Sequence, residues 1–221
     1  MQDPEPIHPE ISVSHKDYEQ IWNIDKYIEL PRNFTLPTID LFEAFERRRT
    51  LREFKALTNQ DISTLLWFTQ RHTGTFPQTP NKVTTPVPTF GGLASVRTIV
   101  LNCDGNAWLY DPEFHRAGII NVSKATVKSI KQEANQFFDN GQGRLLLFAA
   151  SRALVKVYYK HPDSLVLRES GVITAALSLV STAFNFSFCP LGILGIDWIN
   201  KLLNTSEKIH IPAGAAVVGN R

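Results

Sequence analysis

The sequence predicts an α+β fold. Segments with helical periodicity and segments with strand character are mixed along the chain, without the regular βαβ alternation of a parallel sheet. The turn signal Asp104-Gly105-Asn106 stands between two β-rich segments and indicates an antiparallel hairpin. Residues 171–186 are apolar on nearly every side, as is typical of a helix at the centre of a core. We therefore expect helices and antiparallel strands around one buried helix.

Composition is that of a globular protein. With 221 residues, 43% hydrophobic and 20% charged, the chain can bury a sizeable core. A net charge of +2 gives no global field for nucleic acid, so any anion site must be local. Cys103 and Cys189 show no zinc or redox spacing and are expected to be reduced thiols, while no signal peptide is indicated. The apolar run 172–188 is interrupted by serines and threonines, which favours a buried helix over a membrane span. We expect a cytoplasmic protein that binds neither membrane nor nucleic acid.

The first third of the chain is expected to contain an arm, two helices and a loop. Residues 1–37 hold five prolines and predict an irregular N-terminal arm, ahead of a domain over 38–221. Thr38 is expected to cap a helix with Ile39, Phe42 and Phe45 at helical spacing. A capping box of Thr58 and Asp61 starts a second helix, which buries Ile62, Leu65, Leu66 and Thr69 and stops at Gly74. The proline-rich residues 75–90 are predicted to be a loop.

The remaining elements follow from capping residues and apolar runs. Two hairpin strands are expected at 97–103 and 107–111, and a buried strand at 145–150. Ser123 is expected to cap a helix that carries Val127, Ile130, Ala134 and Phe137 and stops near Asn140. Asp197 is expected to cap a short helix with Trp198, Leu202 and Leu203, and residues 213–219 close the chain as a strand.

A cluster of arginines at 47–52 ends the first predicted helix. Guanidinium groups offer charged donor forks suited to phosphate, and Thr50 adds a hydroxyl donor. The alternative is a solvated basic helix end, because cations are favoured near a helix C-terminus.

Several short stretches together resemble the flavin-dependent nitroreductase superfamily, and within it the azoline dehydrogenases that act on ribosomally made peptides. They are, in order, YIELP, RRTLREF, PTFGGL, WLYDPEFH, LVLRESGVITAALSLVSTAFNF and CPLG. The resemblance implies a central, mainly antiparallel sheet flanked by helices, with FMN at a dimer interface. It also implies a homodimer, or a heterodimer with a related subunit, that meets a peptide substrate and a cyclodehydratase partner.

The resemblance assigns the FMN contacts residue by residue. Arg48 would hold the phosphate with the Thr50 hydroxyl and the C-terminal Arg221, and Arg52 would lie near the pyrimidine end of the ring. The other implied ring contacts are Pro88, Thr89 and Gly91 from the partner subunit, where two glycines permit close approach to a flat ligand, and the backbone at Leu191 and Gly192 near flavin N5.

The implied reaction oxidises a thiazoline or oxazoline ring to an azole and needs a base. Azoline dehydrogenases carry an adjacent Lys-Tyr pair before the central helix, and the nearest match here is Lys156 and Tyr158, separated by Val157. The helix also has Val172 where the family has His. Two alternatives stay open: an NAD(P)H-dependent reductase of nitro compounds, quinones or enones, and a degenerate flavoprotein that serves as a scaffold subunit.

Overall fold

The computed structural model describes residues 2–7, 20–76, 79–137, 141–206 and 208–221. The helices are α1 (Leu41–Arg47), α2 (Asn59–Gln70), α3 (Lys124–Ala134), α4 (Arg152–Tyr158), α5 (Asp163–Ala183) and α6 (Ile196–Leu203). The strands are β1 (Glu5–Pro6), β2 (Ile24–Glu29), β3 (Gly74–Phe76), β4 (Thr79–Thr84), β5 (Val96–Leu101), β6 (Ala107–Asp111), β7 (Arg116–Ile120), β8 (Arg144–Ser151), β9 (Tyr159–Lys160), β10 (Phe186–Leu191) and β11 (His210–Asn220).

A seven-stranded sheet forms the centre of the fold. Its strand order is β10-β11-β8-β5-β6-β7-β2, and each pair of neighbours is antiparallel. Strand β8 is the third strand in this order and is buried at every position, because both faces of the sheet are covered. This arrangement confirms the predicted antiparallel sheet flanked by helices.

Alternate residues of the central strands enter two separate cores. Leu146 and Phe148 of β8 pack with α2 and α5 on one face, whereas Leu145 and Leu147 pack with α3 and α6 on the other. Successive side chains of a strand point to opposite faces, so an uninterrupted apolar strand serves both layers.

Helix α5 occupies the position of a core helix. It is long and apolar enough, by length and composition, to cross a membrane. In this fold it packs against α2 and against β10 and β11, as predicted for the central helix. It begins at Asp163, eight residues before the predicted start at Gly171. The prediction followed the apolar run alone and so left out the more polar first turns of the helix.

The first helix differs from the prediction at its cap and at its apolar face. Asp40, not Thr38, is the N-cap: its carboxylate accepts a hydrogen bond from the backbone N–H of Glu43 at 2.8 Å. Phe42 and Phe45 are 79% and 57% exposed, so the expected inner stripe faces outward. Helical spacing shows that residues share a face, but it does not show whether this chain covers that face.

Other differences lie at element ends. The predicted loop 75–90 contains the hairpin of β3 and β4, although residues 77–78 lie outside the described part. The second helix ends at Gln70 rather than near Gly74. Gly195, in the left-handed conformation, caps α6 in place of Asp197. Helix α3 stops at Ala134, so Phe137 lies beyond it, and the predicted stop at Asn140 is outside the described residues.

Several local predictions are confirmed. Thr58 and Asp61 form the capping box of α2, and Ser123 caps α3. The predicted hairpin, the buried strand at 145–150 and the final strand all form, as β5–β6, β8 and β11. Within the predicted N-terminal arm, residues 24–29 are not irregular: they form β2, which pairs with β7 at the edge of the sheet.

Candidate functional site

The segment that follows the arginine cluster lies along the ends of β10 and β11. The backbone N–H of Leu51 donates to the Phe188 carbonyl at 3.1 Å, and Lys55 and Asn220 exchange two backbone hydrogen bonds at 2.8 and 2.9 Å. Gly219 allows this approach, since an added Cβ would lie 2.7 Å from the Cβ of Phe54 and 2.9 Å from the Lys55 carbonyl oxygen. The arginine cluster is therefore held beside the C-terminus of the chain.

The four arginines of the cluster have different surroundings. Arg47 forms an ion pair with Glu43, and Arg49 donates to the carbonyls of Glu46 and Arg48 at 2.7 and 2.8 Å. Arg49 thus neutralises the C-terminal end of α1. The exposed Arg48 guanidinium has no hydrogen bond or ion pair within the described residues, so it is available to an anion.

Arg52 lies against the buried thiol of Cys189. Burial raises the pKa of this thiol, whereas the Arg52 guanidinium, through its charge and a hydrogen bond, acts in the opposite direction. Arg52 is exposed and sits at the middle of β10, well away from the end where Arg221 lies.

An open cleft of about 680 Å³ adjoins the C-terminus. Its cationic wall consists of Arg47, Arg49 and Arg221, and its polar wall includes Thr182 and Asn185. The Glu46 carboxylate also lines the cleft, and the three guanidinium groups are the part of the lining that suits a phosphate group. Arg221, one of the phosphate contacts implied by the resemblance, lines this cleft, and its role stays a prediction. Arg48 and Thr50 are exposed but are not among the described residues that line the cleft.

Strand β10 connects this cleft to the other predicted ring contacts. Phe186 pairs with Asn220 at one end of the strand, and Leu191 pairs with Ala215 at the other. Five residue steps at about 3.3 Å each separate these ends by about 17 Å. Gly192 follows, exposed, with open space where a Cβ would lie. A ligand that contacted both the cleft and Gly192 would have to span this distance along β10.

The predicted ring loop, residues 88–92, has an unusual backbone. Gly91 and Gly92 both adopt positive φ, 66° and 70°. The hydroxyl of Tyr159 lies against Gly91, while the side chains of Lys82 and Phe76 lie against Gly92. Pro88 is exposed and Thr89 is half-buried at the start of the loop.

The side chains of the predicted catalytic pair, Lys156 and Tyr158, point in different directions from α4. Lys156 and Tyr158 both lie on this helix, and two residues along a helix turn the side chain by about 200°. The two side chains therefore leave α4 on nearly opposite sides, with Lys156 exposed. The neighbouring Tyr159 begins β9 and is the tyrosine that contacts the ring loop. Sequence reasoning missed it, because the helix-to-strand change between residues 158 and 159 left no local signal.

A buried polar cluster includes Tyr110, which lines one cavity together with Thr89 of the ring loop. The His115 ring is bonded on both nitrogens, with Tyr110 Oη 2.9 Å from Nδ1 and Ser63 Oγ 2.8 Å from Nε2, and Ser63 donates to the Pro31 carbonyl. These partners fit a neutral imidazole that accepts from Tyr110 and donates to Ser63. Burial lowers the pKa of His115 to about 4 and raises the pKa of Tyr110, so both groups stay uncharged at neutral pH.

Comparison with known proteins identifies the fold. The model of the nitroreductase family matches residues 45–220. A protein from Ralstonia eutropha described as a nitroreductase superposes with a TM-score of 0.65 at 15% identity, over 99% of this chain and 98% of its own. The search of curated proteins finds no match.

Two further structures are similar at the level of the fold. A chain of the E. coli microcin synthetase McbBCD complex, determined with truncated pro-MccB17 bound, gives a TM-score of 0.58 at 14% identity, covering 96% of this chain and 83% of its own. A nitroreductase from Exiguobacterium sibiricum, determined in complex with FMN, gives 0.55 at 12% identity, covering 85% and 90%.

Proposed function

Because this chain belongs to the nitroreductase family, we propose that it is an FMN-dependent oxidoreductase that converts thiazoline or oxazoline rings to azoles in a ribosomally made peptide. The proposal extends the family assignment to a direction of electron transfer and to a substrate class. The sequence motifs of the azoline dehydrogenase branch and the likeness to the McbBCD complex support it.

One observation carries the proposal: a tyrosine hydroxyl lies at the loop that is expected to face the flavin. An azoline dehydrogenase must remove a ring proton next to the hydride acceptor, so it needs a basic group at that place. Tyr159 Oη against Gly91 supplies a candidate, and Lys156, Tyr158 and Lys160 lie within three residues of it. A reductase that takes its electrons from NAD(P)H does not need this base.

The residues present fit FMN. Arg221, Arg47 and Arg49 line a cleft suited to the phosphate, the unpaired Arg48 and the Thr50 hydroxyl lie on the adjoining segment, and Arg52 lies midway along β10. Pro88, Thr89 and Gly91 of a partner subunit and the backbone at Leu191 and Gly192 would hold the ring. When bound, FMN supplies the capacity to accept two electrons as a hydride. A positive charge at Arg52 then stabilises the reduced, anionic form.

Residues of this chain would remove the ring proton of the azoline. The resemblance implies that Lys156 and Tyr158 together supply the general base. Tyr159 is a third candidate, because its hydroxyl contacts the loop. Of these groups, Tyr159 Oη is the one that lies against the loop expected to face the flavin. The exposed Gly192, with open space above it, leaves room for a ring that projects from a peptide.

The quaternary arrangement belongs to the same proposal. The exposed side chains Leu36, Leu41, Phe42 and Phe45 lie close together in sequence and form an apolar surface on and before α1. Contiguous exposed apolar surface marks interaction sites, and we assign this one to a second copy of the chain or to a related subunit. A cyclodehydratase would deliver the azoline peptide. The free thiols Cys103 and Cys189 agree with a cytoplasmic site of action.

A reductase of nitro compounds, quinones or enones is the second candidate. It is favoured by the separation of Lys156 and Tyr158 on α4, which weakens the base, and by the open approach to Gly192, which also suits NAD(P)H. A scaffold subunit without flavin is the third.

The visible absorption spectrum of the purified protein, with the released cofactor identified, tests both enzyme assignments first. An azoline-containing peptide is then incubated with the FMN-loaded protein and oxygen, and mass spectrometry follows the loss of two hydrogens. Rapid NAD(P)H oxidation with a nitroaromatic and no loss of hydrogen from the peptide would establish the reductase instead. A colourless protein that takes up no added FMN would leave only the scaffold.

A further inference from the structure

The loop that contacts Tyr159 is attached to the buried carboxylate of Glu169 on α5. Glu169 is 1% exposed, and its Oε1 accepts from the backbone N–H of Val96 at 2.8 Å. Its Oε2 lies 3.3 Å from Ser95 Oγ, and backbone groups of Phe90 and Ser95 also donate to it. All these donors belong to residues 90–96. One carboxylate on the central helix therefore accepts hydrogen bonds from several positions of the same loop.

The loop that Glu169 holds has an unfavourable backbone conformation. Gly91, Gly92 and Ala94 all have positive φ, 66°, 70° and 44°. Alanine is disfavoured in the left-handed region, because its Cβ comes too close to the following carbonyl oxygen. Such a backbone persists only where its surroundings determine it. The donors that converge on Glu169 are the contacts that can do so.

Contacts on the outer side of the loop complete its surroundings. The Arg168 guanidinium, next to Glu169 in sequence, lies 4.9 Å from the centre of the Phe90 ring. Behind the loop, Glu169, Thr89 and Ala94 line a cavity of about 20 Å³, which is room for about one water molecule. The start of α5 thus touches the loop on two sides.

We propose that Glu169 is a positioning residue that fixes residues 88–96 in the shape required for contact with the flavin ring. The inference rests on the proposed function for the ligand, but the loop geometry it explains belongs to the protein alone. Glu169 is not a catalytic residue, because its oxygens face the loop backbone and its side chain is buried. Burial raises the pKa of Glu169, and the donors that converge on both of its oxygens act in the opposite direction by favouring the carboxylate. Because these neighbours are donors, an amide is not expected to replace it.

Glu169→Gln tests the proposal with almost no change in shape. The amide retains one acceptor and turns an NH2 group toward donors, so the loop loses part of its attachment. Hydrogen exchange of the flavin-free protein is expected to show amides in residues 90–96 exchanging about tenfold faster or more, while β8 stays at the wild-type rate. The dissociation constant for FMN, measured by fluorescence quenching, is expected to rise about tenfold or more. Glu133→Gln is the matched control, since Glu133 bonds to Lys201 and Trp198 away from the loop.

A second substitution separates positioning from general stability. Ala94→Gly removes the left-handed penalty at position 94, so it is expected to recover part of the FMN affinity in the Glu169→Gln background. If Glu169→Gln is insoluble, Glu169→Asp and Ser95→Ala replace it. Both variants keep the two carboxylate oxygens on α5, so smaller increases in loop hydrogen exchange and in the FMN dissociation constant are expected.

The outcomes distinguish this inference from the proposed function. Wild-type exchange of residues 90–96 in Glu169→Gln would overturn the positioning role, as would a uniform rise in exchange across the sheet. A wild-type protein that binds no FMN, with the loop still loosened in Glu169→Gln, would overturn the proposed function and the flavin part of this inference but leave the attachment of the loop established.

Discussion

The hydroxyl of Tyr159 lies over the backbone of Gly91, in the space that a Cβ at position 91 would occupy. Gly91 also has φ of 66°, so two independent constraints require glycine there. Because Tyr159 follows the last residue of α4, the tyrosine that reaches the loop is the neighbour of the one that the family motif indicates.

Tyrosine-to-phenylalanine variants separate these two residues. Tyr159→Phe retains the ring and removes the hydroxyl, so azoline oxidation is expected to fall about 10²- to 10⁴-fold if this group transfers the proton, with FMN binding unchanged. Tyr158→Phe is the matched control. If only Tyr158→Phe lost activity, proton removal would be assigned to Lys156 and Tyr158, and Tyr159 would be a packing residue.

The unpaired guanidinium of Arg48 leads to a prediction about cofactor retention. Arg48→Ala is expected to weaken FMN binding more than Arg52→Ala, because a charged hydrogen bond to phosphate contributes about 1.5 to 3 kcal/mol. Dissociation constants of the two variants measured at one salt concentration check this. Equal retention would contradict the phosphate assignment of Arg48, and a larger loss in Arg49→Ala or Arg221→Ala would move the phosphate into the cleft that those residues line.

Buried histidines make stability depend on pH. Burial lowers the folded-state pKa of both His115 and His210 to about 4, below the unfolded value of about 6.5. The unfolded chain therefore binds more protons between these values, and stability present above about pH 6.5 is lost as pH falls toward 4. Each histidine is expected to reduce the free energy of unfolding by on the order of 2 kcal/mol between about pH 7 and 5.

Denaturant titrations at several pH values measure this dependence. His115→Gln should flatten it, since glutamine does not titrate, even if the variant is less stable at neutral pH. An unchanged slope in this variant would show that His115 does not lose stability by protonation.

The apolar surface at α1 leads to a prediction about assembly. Phe42→Asp places a carboxylate at the side chain that is 79% exposed in the single chain. If this surface is a subunit interface, burial of an unpaired charge is expected to raise the dissociation constant of the dimer by about two orders of magnitude or more. Sedimentation equilibrium or mass photometry measures this. Phe137→Asp, at a residue that is 55% exposed on another surface, should leave the dimer intact; equal effects of the two variants would argue against the α1 interface.

How far the sequence predicts the fold depends on where the determining contacts lie. The capping box of Thr58 and Asp61 is closed within four residues, so local pattern was sufficient. For α1, both Thr38 and Asp40 are good caps, and the choice depends on how the preceding chain enters the helix. Periodicity placed Phe42 and Phe45 on one face, but both side chains are exposed in the structure, and periodicity does not show whether a face is covered.

The candidate site shows the same limit more sharply. The arginine cluster and Gly91 are predicted as site residues from their residue types alone, and their role in binding FMN stays a prediction. The choice between Tyr158 and Tyr159 depends on where α4 ends and β9 begins. That boundary is set by pairing with Glu5 and Pro6, more than 150 residues earlier in the chain. Glu169 was visible only as an acidic residue at the start of an apolar segment, and the loop it holds lies more than 70 residues away.

The pairing of β1 with β9 has a practical consequence for anyone who produces this protein. Glu5 lies opposite Lys160 and forms an ion pair with it, Pro6 lies opposite Tyr159, and the N–H of Ile7 donates to the Tyr158 carbonyl at 2.7 Å. The amino-terminal residues therefore brace the strand that carries the candidate proton acceptor. Removal of residues 2–7 would leave β9 without its partner strand, so a shortened form of the protein should retain them.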